Sequence, residues 1–220
     1  MFNFLKQNIN EEKGMTFIEL IVVVSIFASM SFVVLFRYRT FDRNVALQNL
    51  AQEVSLYIRE TQLQAVSGVL GSDLFSYGLP YDSASAPSYG IYFNSEDKKG
   101  FYKFADNFPR NGLFDLDGAI GSCSSGECLD YINIDDPDIE IDSICAFFGG
   151  TAEPECKLKE VTILFTRPDP APRISCVSLD DLELPCNSVV VTLKSNTDQS
   201  LSWSSSVDLV GRINTQKLEI

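Results

Sequence analysis

The chain has 220 residues, 30 Asp and Glu against 17 Lys and Arg, and a formal net charge of −13. That balance disfavours partners that present phosphate backbones or anionic headgroups, so no nucleic-acid partner is expected. It contains no histidine, which excludes imidazole catalysis and the zinc sites that require it.

Residues 1–14 (MFNFLKQNINEEKG) carry charges that cancel and show no periodicity that would bury a face. They read as a leader to be removed. A conventional secretory signal has an apolar stretch of about 7–15 residues before a small-residue cleavage site. Here the apolar run continues past Ala28 and Ser29, so a cut after Gly14 fits better. From Met15 to Phe36, 22 residues, only Glu19 bears a charge. As a helix this stretch extends about 33 Å, which matches a bilayer core of about 30 Å. A carboxylate inside such a span costs several kcal/mol unless it finds a partner.

Arg37, Arg39 and Arg43 follow and are expected either to mark an outer membrane–water boundary or to answer Glu and Asp on neighbouring chains. Neither Pro nor Gly interrupts residues 15–67, which predicts one helix of 53 residues. The alternative is an anchor and a separate amphipathic helix, broken near residues 36–42. Leu47, Leu50, Ala51, Val54, Ile58, Thr61 and Ala65 recur at steps of three and four, the pattern of a stripe buried against a domain. Gly68 is the first plausible cap, and residues 69–87 have loop chemistry.

The remainder reads as short strands rich in aromatic and β-branched residues: 89–94 and 100–105 as a hairpin, then 130–134, 139–148, 161–166, 173–177, 189–194, 200–204 and 207–213. With no second long helix, the expected fold is α+β, a long N-terminal helix packed against a mainly antiparallel sheet head. The domain plan is a leader at 1–14, a long helix at 15–67 with its transmembrane part at 15–36, and a β-rich head at 68–220. The leader is neutral and Glu19 cancels the single net positive charge of residues 37–67, so the head carries the acidity.

All six cysteines, Cys123, Cys128, Cys145, Cys156, Cys176 and Cys186, lie in the head. An even, clustered set after a membrane segment points to disulfides in an oxidising compartment. Fifteen pairings exist; pairing neighbours closes three local loops and is the weakly preferred one. No zinc spacing occurs among them.

Asp130, Asp135, Asp136, Asp138, Glu140 and Asp142 fit a solvated strand face better than a calcium site. Asp106, Asn111, Asp115 and Asp117 resemble a calcium loop, but aligning Gly112 to the required glycine puts Pro109 and Gly118 where ligands belong. No cofactor is therefore expected, with calcium the single candidate. Phosphate-cradling loops and nucleophile elbows are absent, so the chain does not read as an enzyme.

Gly14-Met15-Thr16-Phe17-Ile18-Glu19-Leu20, leading into IVVVSIFASMSFVVLF, resembles the processing site and N-terminal helix of type IV pilins and secretion pseudopilins. QNLAQEVSLYIRETQLQAVSG, VTILFTRPDP and VDLVGRINTQ are more weakly similar to minor pilins and pseudopilins. The resemblance implies a prepilin peptidase that cuts after Gly14 and methylates the amine of Met15, although Met replaces the commoner Phe there. It also implies filament assembly through the helix, with other subunits as partners and Glu19 meeting the Met15 ammonium of a neighbour. The competing expectation is a membrane-anchored adhesin or receptor whose disulfide-bonded head binds a ligand.

Overall fold

The computed structural model describes residues 15–67, 87–107, 110–116, 118–123, 126–149 and 153–218, without the side chains of 36–40. The leader with Gly14, the Gly68 cap, the 69–86 loop and Asp117 lie outside the described residues. The protein is α+β: one helix, α1 (Phe17–Ser67), precedes ten strands. The helix assignment runs through residues 36–42, where the alternative placed a break. Two compact units divide the chain, Met1–Arg43 and Asn44–Ile220, and each is described by itself.

In the first unit, residues 17–35 of α1 have a mean hydropathy of 2.5. This is long and apolar enough to cross a membrane. Its side chains are exposed almost throughout, on every face.

In the second unit α1 keeps one apolar stripe. Leu47, Ala51, Val54, Ile58, Thr61 and Ala65 are buried, and Leu50 is half-buried. Thr61 survives in the stripe because its hydroxyl donates to the Tyr57 carbonyl at 2.8 Å, so its polar group is satisfied within the helix.

The strands are β1 (Ser88–Asn94), β2 (Gly100–Asp106), β3 (Cys128–Asn133), β4 (Ile139–Phe147), β5 (Leu158–Phe165), β6 (Pro172–Ser178), β7 (Glu183–Pro185), β8 (Ser188–Ser195), β9 (Ser202–Asp208) and β10 (Ile213–Leu218). They form two antiparallel sheets, ordered β3-β2-β1-β5-β6-β7 and β10-β9-β8-β4. The expected 89–105 hairpin is present, with Tyr92 opposite Tyr102.

The segment 207–213 is not one strand, contrary to its β-branched composition. Asp208 ends β9 and turns the chain: its Oδ1 accepts the N–H groups of Val210 at 3.1 Å and Arg212 at 3.0 Å. Gly211 then adopts φ +81°, which side chains with a Cβ rarely take. Turn chemistry overrides strand propensity there. The short β7 was not expected either, and it ends at Pro185, which cannot donate to a further ladder. At the opposite sheet's edge, β4 has a register shift between Ile141 and Ser143. Its far side pairs with a strap, Ala146 and Glu155 exchanging hydrogen bonds of 2.8 and 2.9 Å.

Strand burial does not alternate on β1 and β2, because both faces are covered. Tyr89, Ile91, Phe93, Phe101 and Ala105 join the main cluster, which also contains the α1 stripe and, from the other sheet, Ile141, Val189, Val191 and Leu193. On the opposite face Tyr92, Tyr102 and Phe104 receive Phe114, with ring centroids 5.0–5.3 Å apart. Gly90 is required by this arrangement, since a Cβ there would lie 2.4 Å from the Phe104 ring.

Candidate functional site

The start of α1 is closed by a reciprocal cap. Thr16 Oγ1 accepts the Glu19 N–H at 3.4 Å, while Glu19 Oε2 accepts the Thr16 N–H at 3.3 Å and the Thr16 hydroxyl at 3.4 Å. Each side chain thus satisfies a backbone donor that a helix N-terminus leaves over. Glu19 also places its negative charge at the positive end of the helix dipole. Thr16 is not among the residues expected to be functional, although the spacing Thr-x-x-Glu before an apolar run signals this cap. Met15 lies just outside the helix and is exposed. Farther along, Ser25 and Ser29 return their hydroxyl hydrogens to the carbonyls of Val22 and Ser25, both at 2.8 Å, so neither presents an unmet donor to an apolar environment.

Within the second unit, residues 44–67 are tied to the strands by polar as well as apolar contacts. Ser55 Oγ donates to Ser205 Oγ at 3.1 Å and lies 2.7 Å from Thr215 Oγ1, and Ser205 in turn donates to the Ala51 carbonyl at 2.7 Å. Trp203 Nε1 donates to Asn44 Oδ1 at 3.1 Å. Lys103, nearly buried on β2, reaches Glu60 at 2.8 Å. On the solvent side, Leu56 and Leu63 stand one heptad apart at 64% and 63% exposure.

The calcium candidates fall at the end of β2 and in the segment after it. Asp106 is buried, and burial pushes its carboxyl above the usual range, more than the Gly112 N–H and the charges of Arg110 and Arg173 pull it down. Asn111 and Asp115 are exposed neighbours: the Asn111 amide donates to the Asp115 carboxylate at 3.3 Å, and its Oδ1 accepts the Leu113 N–H at 2.9 Å. Glu127, unremarked in the sequence, is buried beside them and accepts the Asp115 N–H at 3.2 Å. Burial pushes its carboxyl up as well, and the charges of Asp115 and Asp106 add to the shift. Among the described residues no three Asp, Glu or Cys side chains form a ready-made metal cage.

The other acidic residues do structural work. Asp138 precedes β4 rather than alternating along it, accepts the Ser195 hydroxyl at 2.8 Å and holds Thr197 through both its N–H and hydroxyl. Glu140 and Asp142 face Lys98 at 3.9 Å and Lys194 at 3.7 Å.

Three disulfides join neighbours, Cys123–Cys128, Cys145–Cys156 and Cys176–Cys186. Cys176 and Cys186 belong to the main core, whereas Cys123 and Cys156 are exposed.

No family model matches the chain, and neither the curated proteins nor the solved structures compared with it include a match. The site is therefore read from its own geometry. A shallow cavity of about 730 Å³ lies on the four-stranded sheet, lined by residues such as Phe147, Val190, Thr192 and Gln216. Its charged lining residues, Asp208 and Arg212, are paired with each other at 2.8 Å.

Proposed function

We propose that the chain is a structural subunit, of the minor kind, of a type IV pilus or secretion pseudopilus, and not an enzyme. The observation that carries this reading is the helix start: an apolar run exposed on all faces, opened by the Thr16–Glu19 cap directly after Met15. In this reading a prepilin peptidase cuts after Gly14 and methylates Met15. The subunit waits as a single-pass protein of the inner membrane, with its disulfide-bonded head outside the cytoplasm. It then enters a surface or periplasmic filament through α1, whose second half is the spine packed against the β head.

Glu19 has two successive partners in this scheme. In the lone subunit its carboxylate caps its own helix through Thr16, which lowers the cost of holding it near the membrane surface. Those contacts are long, 3.3–3.4 Å, so an ionic partner is stronger. The Met15 ammonium of a neighbour is such a partner, and pairing offsets two desolvation costs at once.

A membrane anchor and a signal sequence share the length and composition of residues 17–35, so the mature terminus decides between them. N-terminal sequencing and mass measurement of the protein from membranes are expected to find methylated Met15. A mature terminus near Ala28 would indicate signal cleavage. An intact Met1 would favour the anchored adhesin or receptor. Either result rejects the proposal. A second test is Glu19→Ala, expected to insert and be processed yet to enter filaments poorly; incorporation at the wild-type level would remove the role given to Glu19.

A further inference from the structure

We propose that the outward face of the four-stranded sheet binds a neutral oligosaccharide, held by Thr192, Ser204, Ser206, Asn214 and Gln216 with Phe147 at one end. The inference is independent of how the chain is anchored or assembled. It starts from which residues point outward. On β8, Val189, Val191 and Leu193 enter the main core, and on β9 Ser205 donates to the Ala51 carbonyl of α1. Strand alternation therefore turns Val190, Thr192, Ser204 and Ser206 the other way. Register completes two rows across the sheet: Thr192, Ser204 and Gln216 stand side by side, as do Val190, Ser206 and Asn214. All of these except Ser204 line the cavity of about 730 Å³, a size within the roughly 300–1,000 Å³ of small-molecule sites.

The middle of the first row holds an uncommitted group. Ser204 is 0% exposed and Ser202, two residues earlier on the same strand, is 2% exposed, and both hydroxyls are buried with no hydrogen-bond partner. Other hydroxyls of this sheet are satisfied inside the protein, Ser205 by Ala51 and Ser195 by Asp138. A buried polar group without a partner is costly enough that a folded protein rarely keeps one without a reason. A ligand that displaces the exposed Gln216 amide reaches the Ser204 hydroxyl and supplies that partner.

Charge and chemistry restrict the ligand. Asp208 and Arg212, the charged residues of the lining, neutralise each other, whereas the chain as a whole carries −13. A cation meets no unpaired carboxylate in this lining, and an anion meets the field of an acidic head. An apolar ligand would leave the amides and hydroxyls unpaired. A neutral, hydroxyl-rich ligand remains. Ser, Thr, Asn and Gln side chains both donate and accept, as sugar hydroxyls do. A sugar ring also has C–H faces, and Phe147, Val190 and Pro154 offer apolar contact to them, Pro154 from the strap that the Cys145–Cys156 bridge ties to β4. A polar peptide suits the face less well, because a peptide backbone adds to the edge of a sheet.

The test uses the full chain in micelles of a detergent without a sugar headgroup, applied to an array of neutral, sialylated and sulfated glycans and polar peptides, followed by titration with the best-retained neutral glycan. Retention is expected on neutral glycans and not on their acidic counterparts. Gln216→Ala should weaken binding by about three- to tenfold, the worth of one hydrogen bond. Ser204→Ala should weaken it by a similar factor while leaving the head's Tm unchanged or higher, because the deleted hydroxyl has no partner in the free protein. Asp115→Asn, beside the Phe114 that packs on the other sheet, should leave binding unchanged. Retention on no neutral glycan, equal retention whatever the glycan's charge, or capture of peptides alone would overturn the proposal. So would a Ser204→Ala head that is less stable than wild type with unchanged glycan affinity, or a glycan-free dimer that Gln216→Arg disrupts, which would assign the face to a second copy.

Discussion

The two halves of α1 use apolar residues in opposite ways. Residues 17–35 are apolar all round and exposed, with Phe17, Phe27 and Phe32 among the most accessible side chains. Residues 44–67 are polar on most faces and bury one stripe. Burial of the second half is settled within the chain. The first half is long and apolar enough to cross a membrane and leaves its apolar surface exposed, and a surface of that size is unfavourable in water.

The sharpest way to break this contrast is to put the same charge into each half. Ile58→Asp should unfold the head, a loss of more than about 4 kcal/mol, because it buries an unpaired carboxylate in the core. Val24→Asp should leave the head's denaturant midpoint unchanged and instead disfavour membrane insertion by about 2.5–3.5 kcal/mol, read from membrane fractionation. Equal effects on head stability would dissolve the distinction.

Next in size is the cost of the disulfides to the second unit. Replacing Cys176 and Cys186 together by Ser should cost about 2–5 kcal/mol. The same change at Cys123 and Cys128 should cost less, since that bridge closes a shorter loop, with a sequence separation of 5 against 10, and Cys123 is exposed. Urea denaturation of the two double variants orders them.

Acid titration separates the units further. The carboxyls of Asp106 and Glu127 are raised by burial. Protonation therefore favours the folded head: the contribution is fully present below about pH 4, where unfolded carboxyls are also protonated, and is lost as pH rises through the raised folded values. The head should gain stability on acidification from neutrality relative to the Asp106→Asn, Glu127→Gln double variant. Identical pH profiles would show that these groups are not the source. The smallest effect is at the helix start, where Thr16→Val should fray the first turn by about 1 kcal/mol. Hydrogen exchange in micelles would report it at residues 17–20, with the head unaffected.

Much of this architecture was legible because periodicity survives in single residues. The stripe from Leu47 to Ala65 is a spacing, and it is buried as that spacing requires. Strands such as 161–166 and 189–194 announce themselves by β-branched runs. What was not legible depends on residues distant in sequence. Nothing local says that strands from 88 to 218 divide into two sheets, or that a single aromatic, Phe114, in a Gly- and Asp-rich stretch covers a second face of β1 and β2. Glu127 is one acid among 30 until the Cys123–Cys128 bridge brings it to Asp106. The role of Thr16 is local, and its spacing to Glu19 is enough to signal the cap.

The edges of the two sheets carry a last consequence. A bare strand edge is a template that any other extended chain can extend, and the hazard grows with local concentration. At two of the described edges that template is spoiled: β7 is three residues long and ends in Pro185, and β4 is bulged and overlaid by the strap that Cys156 ties to Cys145. Heads crowded together would thus meet there as blunt solids that do not zip into one another, which keeps aggregation from competing with ordered contact elsewhere on the chain.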